Sequence, residues 1–140
     1  MEYRHVPVMP AEVLEWLAPT EDEELLVDGT LGEGGHSALF LDRHPTLRLI
    51  GLDADPRMVE RAATRLAPFG NRADLRNAWF DEFFSDYAEK RPPTRILLDL
   101  GISGFHVSGS GRGFSFRSEE PLDMRLDPRA DTSAEDLVND

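Results

Sequence analysis

Leu25-Leu26-Val27-Asp28-Gly29-Thr30-Leu31-Gly32-Glu33-Gly34-Gly35-His36 is the stretch on which the fold of this 140-residue chain turns. Its three apolar residues and closing acid read as a short strand. The next seven residues, Gly29 to Gly35, hold four glycines and read as a loop. From His36 to about Arg43 the pattern is helical, with Ala38, Leu39 and Leu41 as core candidates. Strand, glycine loop and helix in immediate succession form the opening unit of a parallel α/β sheet, whose ligands sit outside the carboxyl ends of the strands. Glycines at that place admit positive φ and let a ligand approach the backbone without meeting a Cβ. An ordinary glycine-rich turn is the plainer alternative.

Further units follow downstream. Leu47 to Leu52 is a second strand ending at Asp53, and Asp55-Pro56 starts a helix, with Asp as N-cap and Pro at the first helical position. That helix is expected to bury Met58, Ala62 and Leu66, beside Val59 and Ala63, before Pro68 and Gly70 stop it. Ala73 to Asn77 reads as a third strand, followed by a partly helical aromatic segment with Phe80, Phe83, Phe84 and Tyr87. Pro92-Pro93 breaks that segment, and Arg95 to Leu100 reads as a fourth strand. Upstream, Pro10 opens a helix carrying Val13, Trp16 and Leu17 on one face. Beyond Leu100, five glycines between Gly101 and Gly113 mark a loop, and Thr132 to Glu135 begins another helix. The sheet is expected to be incomplete at four strands, so either a partner supplies the missing edge or the chain is a fragment. An unpaired edge invites self-association.

Cysteine is absent, which excludes disulfides and thiolate metal sites. The four histidines, His5, His36, His44 and His106, show no close ligand spacing, so no metal is expected. No apolar run approaches the length needed to cross a bilayer, and the first residues lack a secretory pattern, so no membrane partner and a cytoplasmic location are expected. Twenty-seven acids against fifteen bases give a formal net charge of −12. A surface of that sign repels a polyanion, so composition alone argues against nucleic-acid binding.

The G-x-G-x-x-G fingerprint of dinucleotide sites is not matched, because starting at Gly32 puts Ser37 at the third glycine and starting at Gly29 fails at Leu31. With an acid directly before the loop, this favours a cofactor without a pyrophosphate. S-adenosylmethionine, with its cationic sulfonium, suits an acid-rich pocket. Asp53, nineteen residues after Gly34, stands where an acid accepts hydrogen bonds from ribose hydroxyls. It is otherwise a turn residue, but Asp55 already fills the capping role and would leave Asp53 available. Phe80 reads as core by pattern, with packing against adenine as the second reading. Asp99 follows an apolar run, where a carboxylate is costly to bury unless it is paired or faces a site; a turn-initiating Asp is the alternative. A histidine at a helix start, such as His36, is more often a packing or capping residue than a catalyst.

Several motifs together resemble one family. They are His5-Val6-Pro7-Val8, Asp28-Gly29-Thr30-Leu31-Gly32-x-Gly34-Gly35-His36-Ser37, Leu52-Asp53-x-Asp55-Pro56, Ile96 to Gly101, Arg112-Gly113-Phe114-Ser115-Phe116-Arg117 and Pro121 to Pro128. In this order the chain resembles the ribosomal RNA small-subunit methyltransferase H family, also called MraW, over nearly its whole length. The resemblance implies a Rossmann-like class I methyltransferase sheet and S-adenosylmethionine-dependent methylation of a cytidine N4 amine in 16S rRNA of the small ribosomal subunit. It implies cofactor contacts at Gly34, Gly35, His36, Asp53, Phe80 and Asp99, and one at His106, where the family usually has Gln. For Phe80 it reverses the core-first reading. Residues 1–103 would be the first part of the cofactor-binding domain, and residues 104–140 a loop and the beginning of an inserted substrate-recognition domain.

The chain departs from the family at Gly104-Phe105-His106, a loop near the expected target base. Family members are also roughly twice as long. No catalytic residue is assigned, because the Asn/Asp-Pro-Pro-aromatic motif of many amino-methylating enzymes is absent. Asp99 and the carbonyls of Leu100 to Ser103 are the acceptors expected beside the amine. The alternative is a catalytically inactive S-adenosylmethionine-binding fragment or degenerate homologue.

Overall fold

Alternation along the two central strands sorts their side chains onto opposite faces of one sheet. In β1 (Leu25–Asp28) and β2 (Arg48–Asp53), Leu26 and Leu49 enter one apolar cluster, while Val27, Ile50 and Leu52 enter another. All five are buried, as expected of parallel strands covered on both faces. The computed structural model describes residues 6–139; His5 of the first family motif lies outside them. Among the described residues, β3 (Ala73–Asn77) and β4 (Arg95–Leu97) complete a four-stranded parallel sheet in the order β3-β2-β1-β4. This is the α/β architecture expected from the sequence, with four strands.

The larger cluster lies under α1 (Pro10–Trp16), α2 (Gly35–Arg43) and α3 (Pro56–Leu66). Met58, Ala62 and Leu66 are buried as their four-residue spacing requires, whereas Ala63 is exposed. In α2, Leu41 is buried as expected. Phe40 is also fully buried and Leu39 only partly, because this helix is covered on more than one flank. Trp16 corrects the reading of α1, being 83% exposed. Val13, Leu14 and Leu17 pack on the core instead, and Trp16 lies about 100° round the helix from the centre of that stripe. On the opposite sheet face, α4 (Phe80–Ser85) supplies Phe80, Phe83 and Phe84 to the smaller cluster.

The fourth strand is shorter than expected. It stops at Leu97 because β1, its sheet partner among the described residues, ends with Asp28 opposite it, and the Gly29 amide then donates to the Leu97 carbonyl at 2.9 Å. Ile96 and Leu98 are consequently exposed. Glu24 clamps the other end of this strand pair: its Oε1 accepts from the amides of Thr20 and Glu21 at 2.6 and 2.7 Å, and its Oε2 pairs with Arg95 at 3.2 Å.

The chain divides into two compact units, Met1–Asp99 and Leu100–Asp140. The second carries α5 (Gly104–Gly109) and α6 (Ala134–Asn139). Sequence reading expected a loop where α5 forms. Ser103 overrides the glycines by accepting from the His106 amide, while His106 Nδ1 accepts from the Ser103 amide, a reciprocal N-cap. Among the described residues, no helix is long and apolar enough to cross a membrane.

Candidate functional site

The site begins with a buried acid. Asp28 ends β1 with 2% of its surface exposed; its Oδ2 accepts from Ser37 Oγ at 2.7 Å and its Oδ1 from the Thr30 amide at 3.2 Å. One carboxylate thus ties the last residue of the strand to the loop and to the first turn of α2. The loop follows β1 closely: Leu31 donates to the Leu52 carbonyl and Gly34 to the Leu31 carbonyl, both at 2.8 Å. Gly29 packs closely, since a Cβ would stand 2.6 Å from Leu98 Cδ2 and 3.1 Å from Phe80 Cβ, so Leu98 would have to move aside for any side chain there. Gly34, at φ +73°, is the left-handed residue that caps α2.

Burial raises the Asp28 carboxyl to about 6, although the bonds from Ser37 and Thr30 pull it back. The unfolded chain releases this proton near 3.8, so between those values the folded state holds more protons. Stability therefore falls as pH rises through this window and stays lower above it. Asp28→Asn removes the buried charge. The variant is expected to gain on the wild type from pH 4 to pH 6.5, approaching a difference on the order of 2–3 kcal/mol. Thermal melts across that range check it, and a pH-independent difference would refute the assignment.

Asp53 closes β2 beside the loop. Its Oδ2 accepts from the Gly32 amide at 2.8 Å and its Oδ1 from the Asp55 amide at 2.9 Å. The sequence reading left Asp53 without a structural task, and that is corrected: both oxygens hold backbone. An ionised carboxylate has about four lone-pair sites, so these tethers are compatible with further bonds from hydroxyl groups. Asp55 does cap α3, accepting from the Arg57 amide at 2.9 Å. Asn77, at the end of β3, donates to the carbonyls of Asp53 and Ala54 at 2.8 Å each and fixes the strand end.

Phe80 is the first residue of α4, half-buried on the cluster of Val27, Ile50 and Leu52 and adjacent to Gly29. It is a packing residue at the rim of the loop. Asp99 is exposed, and the apolar residues flanking it, Leu98 and Leu100, are exposed too. The buried run expected before it is not there, because β4 is an edge strand. Its place is nevertheless fixed, since its amide donates to Thr30 Oγ1 at 2.7 Å. His36 is buried, with Nε2 donating to the Val8 carbonyl at 2.8 Å, and a Cβ on Gly35 would meet Pro7 at 3.3 Å. The His36 imidazole therefore pins the segment before α1, a packing role.

The first unit thus gathers Gly34, Gly35, Asp53, Phe80 and Asp99 around the carboxyl ends of its four strands. His106 belongs to the second unit, where it is buried between Phe105 and Phe114, with ring centroids 6.0 and 5.3 Å away. Sequence reasoning did not single out Thr30, Ser37 and Asn77, whose signal is only a small polar side chain next to a strand end. Among the described residues, no cluster of three metal-ligating side chains occurs.

The profile of the MraW methylase family matches residues 2–140. Ribosomal RNA small subunit methyltransferase H of Treponema denticola is 55% identical over 99% of the chain and 44% of its own length. The protein of the same name from Leptospira interrogans is 47% identical, again over 99% of the chain and 44% of its own length. The chain therefore spans less than half the length of these curated relatives. Among solved structures, the C-terminal domain of precorrin-6Y C5,15-methyltransferase from Rhodobacter capsulatus superposes with a TM-score of 0.55. It is 22% identical, with 68% of this chain and 50% of that one covered, and it shares the fold.

Proposed function

The chain belongs to the MraW methylase family, and on that premise we propose that it is the cofactor-binding part of an S-adenosylmethionine-dependent ribosomal RNA methyltransferase. Its substrate is 16S rRNA in the small ribosomal subunit, and the acceptor is the N4 amine of a cytidine. The observation that carries the reading is the Asp53 carboxylate, tethered to the Gly32 amide at the mouth of the glycine loop. The residues fit such a ligand: Asp53 ends β2 and the exposed Asp99 lies two residues beyond β4, carboxylate acceptors suited to a cation and hydroxyl groups and unsuited to a pyrophosphate.

Asp53 would hold the ribose hydroxyls, Phe80 the adenine face, and the backbone of Gly34, Gly35 and His36 the amino-acid end. Asp99 completes the proposed contacts of the first unit; His106, the further contact the family motif implies, belongs to the second unit. When bound, the cofactor supplies a methyl group on a cationic sulfur. The chain's own task is positioning, which can contribute roughly 7–11 kcal/mol when two reactants are held in a near-attack pose. A cytosine amine is a weak nucleophile because its lone pair is delocalised into the ring. Asp99 accepts a hydrogen bond from it, localises the lone pair and draws off positive charge as the bond forms.

Titration calorimetry with S-adenosylhomocysteine and with NADH tests the cofactor, and methylation of small ribosomal subunits tests the reaction. Binding of S-adenosylhomocysteine and labelling of the subunits are expected. Binding of NADH alone would overturn the reading, and binding without labelling would mark an inactive module. As a second partner we propose another copy of the chain at the exposed β4 edge, where Ile96 and Leu98 are uncovered. Light scattering is expected to give particles above the 15.7 kDa monomer, and a monodisperse monomer would refute this.

A further inference from the structure

Phe116 is 100% exposed, on a turn that is otherwise firmly built. Arg112 precedes the turn, buried, and donates to the carbonyls of Arg125 and Leu126 at 2.8 and 3.0 Å. Its guanidinium lies 5.7 Å from the Phe114 ring centre, and Phe114 in turn packs against His106. Gly113 follows at φ +74°, its amide donating to Glu120 at 2.9 Å. A Cβ on Gly113 would overlap the Pro121 carbonyl oxygen, so the turn approaches that strand of backbone as closely as a glycine permits. Two residues apart, Phe114 faces inward and Phe116 outward. A held backbone thus presents a bare aromatic ring to solvent, with its π face open to a partner.

The neighbouring charge says what covers it. In the second unit Arg125 is paired with Asp123 at 2.8 Å and Arg129 with Asp127 at 2.9 Å, while Arg112 is spent on backbone carbonyls. Arg117 is exposed and makes no ion pair among the described residues. An aromatic face beside an uncommitted guanidinium matches a nucleotide, with the base on the ring and the phosphate on the cation. A protein segment would ask for apolar surface around the ring, yet Ser115, Arg117, Ser118, Glu119 and Glu120 surround it in sequence. A chain of net charge −12 also has no general attraction for RNA, so its affinity has to come from local contacts of this kind.

We propose that Phe116 is a stacking platform for an unpaired base of the RNA substrate, with Arg117 on the adjoining phosphate. This rests on the reading of ribosomal RNA as the substrate. Affinity of the full-length protein is measured by anisotropy for a single-stranded 16S-derived oligonucleotide. Phe116→Ala and Phe116→Leu are expected to weaken binding about tenfold, and Phe116→Trp to retain it, because stacking needs a π face and not apolar bulk. Arg117→Gln is expected to lower affinity and to reduce the salt slope by about one. Affinity for S-adenosylhomocysteine should be unchanged in all four variants.

Wild-type affinity in Phe116→Ala, or recovery in Phe116→Leu, overturns the proposal. So does loss of S-adenosylhomocysteine binding, which would make Phe116 a packing residue. If the unaltered protein neither binds the oligonucleotide nor labels small subunits, the substrate reading itself fails. If it labels them and Phe116→Ala labels them with the same KM, only the platform fails.

Discussion

Asp99→Ala, assayed on small ribosomal subunits, is expected to cut methyl transfer by at least about 100-fold, the scale seen when one group stabilising transition-state charge is removed. The backbone should survive the change, because Asp99 is anchored through its amide on Thr30 Oγ1 at 2.7 Å and not through its carboxylate. The loss would then be one of chemistry. Affinity for S-adenosylhomocysteine should fall much less than kcat, and Asp99→Asn, which keeps an acceptor oxygen, should recover part of the rate. Near-normal turnover in Asp99→Ala would rule out this role.

Asp53→Ala is expected to weaken S-adenosylhomocysteine binding by at least about 100-fold, since hydrogen bonds to a charged group are worth about 1.5–3 kcal/mol each and two would be lost from the ribose. The same change frees the Gly32 amide and the Asp55 amide, which now bond to the carboxylate at 2.8 and 2.9 Å. The loop therefore loses its tether to β2 as well. Asp53→Asn keeps one acceptor oxygen and should lose about tenfold, in line with one charge-assisted bond becoming neutral. Calorimetry reads both variants; Asp53→Ala binding as tightly as wild type would show that no ribose rests on this residue.

Much of the site was legible as residue types at strand ends, yet the part each side chain plays was not. Asp53 read as available because Asp55 was the evident cap, and in the fold it holds an amide 21 residues away. Asp99 read as an acid ending a buried run, and the run is exposed because β4 has a partner on one side only. His36 matched the family's loop motif, while its ring serves the Val8 carbonyl. Asp28 read as an acid beside a pocket, and burial raises its carboxyl instead of leaving it open to a ligand.

The chain's order of elements was fixed by local chemistry. Apolar runs of three to six residues, the Asp55-Pro56 helix start and the glycines after Val27 act over one turn or one strand, and β3 formed at Ala73–Asn77 as read. Membership of the family likewise came from contiguous motifs. Only folding decided that β1 lies between β2 and β4, that Leu97 is the last paired residue of its strand, and that Trp16 and Phe116 face water. Hydrogen-bond register and desolvation depend on what a distant part of the chain lays against a residue, and no neighbour in sequence carries that information.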